Sequence, residues 1–255
     1  MFDLTGKTIL ATGTSKGIGA EILKGLVAQG AHVVAHYGAD QAGMAEALAG
    51  LPEDRVRALS ADFRDDRAVD TLWERALGWR GGIDVLINNA AVMHWNGGID
   101  EPDEVWDRVW HDTMQVNVYA PARLTRAALR HFRDRKGGIV VTVSSWAAQR
   151  GVTNPATAAY AASKAAIKAF TQTIARGYAK ENILAYVIAP GVVRTRMSQD
   201  FAATQGGEDA VARTLAMGEM IPPGDVAAVA VFLASGASRH LTGATIDVNG
   251  ASYVR

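Results

Sequence analysis

Cysteine is missing altogether from this chain of 255 residues. Its absence excludes disulfide bonds, thiolate nucleophiles and cysteine–zinc sites. Surplus charge is missing too, because 26 basic residues balance 26 acidic ones. A neutral chain makes no long-range field that would gather nucleic acid or an anionic membrane, so neither partner is expected. No apolar run approaches the roughly 18 residues of a membrane-spanning helix. The opening residues lack the basic region, apolar stretch and small-residue cleavage site of a signal peptide. A soluble, cytoplasmic protein is therefore expected. His94 and His111 lie far apart and neither belongs to a His-x-x-x-His pair, so no metal site is expected.

What is present is a regular alternation. Short runs rich in Val, Ile, Leu and Ala fall at 7–12, 32–36, 56–60, 85–88, 139–143, 184–189 and 245–248. They are near-continuous, as in strands covered on both faces. Helical patterns lie between them, near 18–29, 41–49, 66–79, 103–134, 156–180 and 223–234. Such alternation predicts an α/β fold, a doubly wound (Rossmann) parallel sheet of about seven strands with helices on both faces. A ligand crevice is then expected at the carboxyl ends of the strands, where strand order reverses. No linker, repeat or composition break divides 1–255, so one domain is expected. The stretch 192–221 fits neither pattern and is expected to be a substrate lid or a small helical insert beside the crevice.

Two local patterns carry chemistry. After the first strand the chain reads Gly13-Thr14-Ser15-Lys16-Gly17-Ile18-Gly19 and enters a helix. Gly13 permits a tight turn, Gly17 a close approach of backbone to a diphosphate, and Gly19 close packing of helix on strand. The helix N-terminus adds free N–H groups and a positive dipole end. A glycine-rich turn without a ligand would satisfy the same letters. Further on, Tyr160 and Lys164 stand four apart on a helical, Ala-rich stretch, so they share one face. The ammonium is expected to lower the phenol's pKa from about 10 and fit it for proton transfer near neutral pH. A packed tyrosine beside a solvated lysine is the alternative. The pair follows Gly138-Ile-Val-Val-Thr-Val-Ser144-Ser145, a strand that delivers hydroxyls to the crevice.

Taken together, TGTSKGIG, GIVVTVSS and YAASK closely resemble the short-chain dehydrogenase/reductase family. The resemblance runs through Asn88-Asn89-Ala90, Val116-Asn117, Pro190-Gly191 and Leu241-Thr242-Gly243, and so covers essentially the whole chain. It implies an NAD(P)-dependent oxidoreductase that interconverts a ketone and a secondary alcohol by hydride transfer. Tyr160 would be the acid/base and Lys164 would depress its pKa and hold the nicotinamide ribose. Ser145, with Ser144 as the less favoured choice, would hold the substrate oxygen, and Asn117 would help hold a water that links Lys164 to solvent. Asn117 could also be a helix-kink or capping residue.

The same resemblance places cofactor contacts at Gly13, Ser15, Lys16, Gly17, Ile18, Gly19, Tyr37, Asp62, Phe63, Asn89, Ala90, Pro190, Gly191, Val193 and Thr195. Asp62 would meet the adenine, although an aspartate there could be a helix cap, a part that Asp65 or Asp66 fits better. Ala91 departs from the family's glycine after Asn-Asn-Ala, a change expected to be tolerated. The position that is acidic in NAD-type members is Tyr37 here, and Lys16 sits where NADP-type members carry a basic residue. These favour NADP over NAD; the nearby Asp40 and the lack of an arginine after the second strand count against it.

The substrate pocket would be lined by Met93, His94, Trp95, Trp146, Gln149, Arg150 and Met197, a surface that suits a ring or a polyol. Within the family both a 3-oxoacyl thioester reductase and a sugar or cyclic-alcohol dehydrogenase fit. Outside it the competing readings are a catalytically inactive nucleotide-binding regulator and a nucleotide-sugar epimerase or dehydratase, for which 255 residues leave little room. Family members are commonly homotetramers. The helices near 103–134 and 156–180 would form the interface, with Ala165, Ala166, Ala169 and Phe170 either there or in the core.

Overall fold

A computed structural model describes residues 2–254. Strand β1 (Thr8–Ala11) leads to α1 (Gly17–Ala28), then β2 (His32–Tyr37), α2 (Gln41–Leu48), β3 (Val56–Ser60), α3 (Asp66–Arg80) and β4 (Val85–Asn88). Next come α4 (Asp103–Met114), α5 (Ala120–Asp134), β5 (Gly138–Val143), the one-turn α6 (Ala147–Arg150), α7 (Ala158–Tyr178) and β6 (Ile183–Pro190). Two short helices, α8 (Arg196–Thr204) and α9 (Glu208–Ala212), precede α10 (Pro223–Ser235) and β7 (Thr245–Val248).

The seven strands form one parallel sheet in the order β3-β2-β1-β4-β5-β6-β7. The chain thus winds outward from β1 in one direction and resumes at β4 in the other. The loops leaving β1 and β4 therefore diverge, and their divergence opens a crevice at the carboxyl edge. Side chains alternate between the two faces along every strand. Leu10, Val34, Leu86 and Val140 pack with residues of α3, α5 and α7, whereas Ile9, Val33, Val85 and Val141 pack with residues of α1 and α10. Burial on both faces is why the central strands β1, β4, β5 and β6 are mostly apolar.

Helices α2 and α3 start at capping aspartates, Asp40 and Asp65. Asp65 caps α3 through a hydrogen bond accepted from the Arg67 N–H (2.8 Å), so the cap falls there and not on Asp62. One expectation needs correction. The helix expected over 103–134 is interrupted by a π-helical turn at Gln115–Tyr119 that carries Asn117. The Asn117 amide bonds both backbone groups of Val92, accepting from its N–H at 2.8 Å and donating to its carbonyl at 2.9 Å. The widened turn holds that amide against the segment leaving β4.

The stretch 192–221 carries two short helices, α8 and α9. It is pinched at its neck by a parallel bridge between Val193 and Ile221. His32 and His36 stand four apart, but both lie on β2, where four residues span about 13 Å, so the pair cannot chelate. Among the described residues no helix is long and apolar enough to cross a membrane.

Phe132 is fully buried beneath the sheet, and Gly138 leaves room for its ring: a Cβ there would lie 2.2 Å from the ring's Cγ. Phe132→Ala should cost about 3–5 kcal/mol of stability. Urea unfolding followed by circular dichroism will measure that loss.

Candidate active site

The crevice at the carboxyl edge encloses about 710 Å³, the volume of a site for a sizeable organic ligand. One end is built on the glycine-rich loop. Gly13 and Gly17 take left-handed φ values of +69° and +55°, which a side chain would strain. Gly19 is required for a different reason: a Cβ there would lie 1.9 Å from the Gly13 carbonyl oxygen. Lys16 precedes α1 and gives it no side-chain cap. The first N–H groups of a helix lack intrahelical partners, so this end of α1 is suited to receive an anionic group in the cleft.

Three side chains brace the loop. Thr12 Oγ accepts from the N–H groups of Asn89 (3.0 Å) and Ala90 (3.1 Å). The Asn89 amide donates to the carbonyls of Thr12 and Gly13, both at 3.0 Å. The third brace is His36. Its Nδ1 accepts from the Gly13 N–H at 3.2 Å, and its Nε2 lies 3.0 Å from the Ala61 carbonyl. An acceptor at Nδ1 and a donor at Nε2 define one neutral tautomer. The ring also stacks on Phe63, with centroids 4.3 Å apart. Burial lowers the His36 pKa to about 4.

At the other end, Ser145 leaves β5 and Tyr160 and Lys164 project from α7. Tyr160 and Ser145 are hydrogen-bonded to each other. Ser144 turns inward and donates to the Lys164 carbonyl at 2.8 Å, so its hydroxyl is committed to the core and Ser145 is the serine that meets the tyrosine. The Lys164 Nζ donates to the Val143 carbonyl at 2.9 Å and lies 5.7 Å from the centroid of the Tyr160 ring. Burial lowers Lys164 to about 8. The same desolvation pushes the Tyr160 hydroxyl above its usual value, and the hydrogen bond from Ser145 only partly offsets it. The depression expected from Lys164 is thus corrected: burial raises the phenol, and the ammonium is directed at a backbone carbonyl.

Residues 13–251 match the family model described as "Enoyl-(Acyl carrier protein) reductase". The chain belongs to the short-chain dehydrogenase/reductase family. It is 36% identical to 3beta-hydroxysteroid dehydrogenase 1 of Eggerthella lenta, covering 97% of this chain and 94% of that protein. It is 30% identical to a 3-oxoacyl-[acyl-carrier-protein] reductase of Haemophilus influenzae, covering 98% and 100% respectively. A solved 3-oxoacyl (acyl-carrier-protein) reductase from Agrobacterium tumefaciens, with NADP bound, superposes with a TM-score of 0.87 at 32% identity, covering 98% of this chain and 95% of that one. This protein is accordingly an enzyme of the short-chain dehydrogenase/reductase type, an oxidoreductase with the Rossmann-like architecture of that family.

Most residues expected at the site of this short-chain dehydrogenase/reductase do line the crevice, among them Ser15, Lys16, Ile18, Asp62, Phe63, Asn89, Ala90, Pro190, Gly191, Val193 and Thr195. Trp95, Trp146, Arg150 and Met197 line it too. Asn117 does not; its amide is occupied by Val92 and by Ser163 Oγ (3.0 Å). Three other expectations are corrected. Tyr37 packs against the core beside α1, because strand alternation puts it on the face opposite His36. His94 turns out of the crevice to Asp112 on α4, at 2.5 Å, where Arg64 also binds. Gln149 lies on α6 outside the lining.

Several lining residues escaped the motifs. Phe201 stands four after Met197 on α8, a helical spacing that could have exposed it, and stacks on Trp95 with centroids 5.7 Å apart. His36 left a trace as an ionisable side chain closing the apolar run of β2. Arg64 and Arg196 left none, since arginines in loops and at helix starts are usually solvated.

Because His36 must be neutral to accept from Gly13, its folded pKa lies below the ordinary 6.5. Its contribution is complete above about pH 6.5 and is lost as pH falls toward 4, up to about 3 kcal/mol in all. Urea midpoints of parent and His36→Asn should converge across that window as the parent's advantage disappears. A parent that keeps its full advantage at pH 4 would contradict the buried neutral histidine.

Proposed function

We propose that the protein is an NAD(P)-dependent dehydrogenase/reductase that interconverts a ketone and a secondary alcohol, with Tyr160 as acid/base. The observation that carries this reading is the cluster of Ser145, Tyr160 and Lys164 at one end of a crevice whose other end is an uncapped, glycine-rich helix start. That crevice suits a dinucleotide: Gly17 and the start of α1 for the diphosphate, Asp62 and Phe63 for the adenine, and Pro190, Gly191, Val193 and Thr195 for the nicotinamide. The NADP bound to the Agrobacterium reductase supports a nicotinamide cofactor.

A reduced nicotinamide, when bound, supplies the hydride that reaches the substrate's carbonyl carbon. Tyr160 gives its phenolic proton to the carbonyl oxygen as the π bond breaks. Ser145 donates to the same oxygen and stabilises the charge that grows there. Lys164 stabilises the tyrosinate left behind. Both N–H donors of the Asn117 amide are taken, by the Val92 carbonyl and Ser163 Oγ, so a role in the proton path would pass to its oxygens as acceptors. In the oxidation direction each transfer is reversed.

NADP is the favoured cofactor. Lys16 lines the crevice and no carboxylate stands at the last residue of β2. Asp40 is the opposing feature. Its carboxylate is engaged by Lys16 (3.0 Å) and by the Gly43 N–H (3.0 Å), and both interactions keep it ionised below the ordinary range. A 2′-phosphate would have to draw Lys16 from Asp40. Lys16→Ala should therefore weaken NADPH binding roughly tenfold and narrow the margin between NADPH and NADH. Fluorescence titration with each coenzyme measures both effects; equal losses for the two would place Lys16 away from the 2′-phosphate.

The homotetramer implied by the family is part of this proposal. Ala165, Ala166 and Ala169 on α7 are at least partly exposed and could meet a second copy, whereas Phe170 packs inward. Light scattering at micromolar concentration would overturn a tetramer by returning the monomer mass. For the chemistry, Tyr160→Phe removes one hydroxyl. Turnover should fall about 10²–10⁴-fold while coenzyme binding and the unfolding midpoint stay near the parent's. Residual turnover within tenfold of the parent would assign the proton to another group.

A further inference from the structure

The substrate end of the crevice differs from its cofactor end in both surface and charge. Trp95 and Phe201 stack nearly parallel, their planes 9° apart, and join the loop after β4 to α8 through one apolar contact. Trp146 supplies another aromatic surface, with Met197 beside it. The aromatic faces themselves offer no hydrogen-bond partners to a polyol, whose hydroxyls would lose water against them without replacement. A rigid apolar ring is the better match in shape and polarity.

Charge adds a second constraint. Among the described residues lining the crevice, the only carboxylates are Asp40 and Asp62. Both belong to the cofactor end, where Asp40 pairs with Lys16 and Asp62 with Arg64. At the substrate end stands Arg150, whose guanidinium carbon lies 4.7 Å from the centroid of the Trp146 ring. No acidic side chain pairs with Arg150 among the described residues. Stacking on Trp146 holds the planar fork at the crevice while leaving its edge N–H groups for a ligand. Trp146 and Arg150 bound a single turn of helix, a rise of about 6 Å, and Trp146 directly follows Ser145. The cation thus lines the same crevice as Ser145 and Tyr160, held over the ring of the residue that follows that serine.

We propose that the substrate is an apolar ring ketone or alcohol bearing a carboxylate on the side remote from the reacting carbon, and that Arg150 receives that carboxylate. This rests on reading the crevice as a ketone/alcohol site. It adds a specificity-determining residue, and it favours a cyclic-alcohol dehydrogenase over both a sugar dehydrogenase and a reductase of neutral thioesters.

The test uses matched ligands on the full chain saturated with NADPH or NADH. The probes are a cyclohexanone with a carboxylate opposite its ketone, a decalone with a carboxylate on its far ring, and the primary amide of each. Calorimetry gives the affinity ratio of acid to amide, and initial rates give the ratio of kcat/KM. The parent should prefer the acid roughly tenfold in at least one pair, a preference that Arg150→Met abolishes and Arg150→Lys only partly keeps. Since each ratio compares two ligands on one variant, a general loss of packing cancels. A parent ratio near one, a preference that survives Arg150→Met, or no binding of any probe would overturn the proposal. Arg150-dependent binding of the acid without turnover would support the anion site and count against the dehydrogenase reading. Turnover of acid and amide with equal efficiency would do the reverse.

Discussion

The carbonyl of Gly13 occupies the space where a side chain on Gly19 would begin, 1.9 Å from an ideal Cβ. That close approach lets α1 start directly against the end of β1, and everything at the cofactor end of the site depends on it. It aims the uncapped start of α1 into the crevice and sets the loop where Thr12, Asn89 and His36 can hold it. Each brace comes from a different strand end: Thr12 from β1, Asn89 from β4, His36 from β2. The loop is thus fixed by the register of the parallel sheet and not by its own residues alone.

His36 carries the most demanding of these constraints. It must be buried, neutral and in one tautomer at once. Stacked on Phe63, it connects the glycine-rich loop to the residues after β3, so that these two walls of the crevice share a single support. At the opposite end a similar economy holds. Ser144 and Lys164 tie α7 to β5 through backbone partners, and this leaves Ser145 and Tyr160 to meet each other in the open crevice.

Much of this was legible in the sequence, for a physical reason. Near-continuous apolar strands announce a sheet covered on both faces, and glycine spacing announces a helix packed tightly on a strand. Tyr160 and Lys164 were legible as neighbours on one helix face, and the family resemblance singled out Ser145 at the end of the preceding strand. What stayed hidden depended on tertiary partners. Tyr37 and His36 are neighbours, and only the register of β2 decides which of them faces the crevice. His94 left the pocket because Asp112 and Arg64, both distant in sequence, offered it a charged partner. The π turn at Gln115–Tyr119 follows from Asn117 reaching Val92, a contact no helical periodicity reveals. The direction of the Tyr160 shift was misjudged because spacing shows that Lys164 is near, whereas the orientation of its ammonium and the desolvation of the phenol belong to the packed structure.

The proposed chemistry requires that Tyr160 become the proton-transferring group once a dinucleotide lies beside it. The most direct measurement is the pH titration of the Tyr160 ring carbon bearing the hydroxyl, by carbon NMR with labelled tyrosine, the resonance being assigned by its loss in Tyr160→Phe. Alone, the protein should show Tyr160 titrating above the usual tyrosine range, as burial dictates. With the oxidised, cationic coenzyme bound, the same resonance should titrate below that range while the other five tyrosines stay where they were. A Tyr160 resonance unmoved by coenzyme would contradict the claim and leave the crevice without its acid/base.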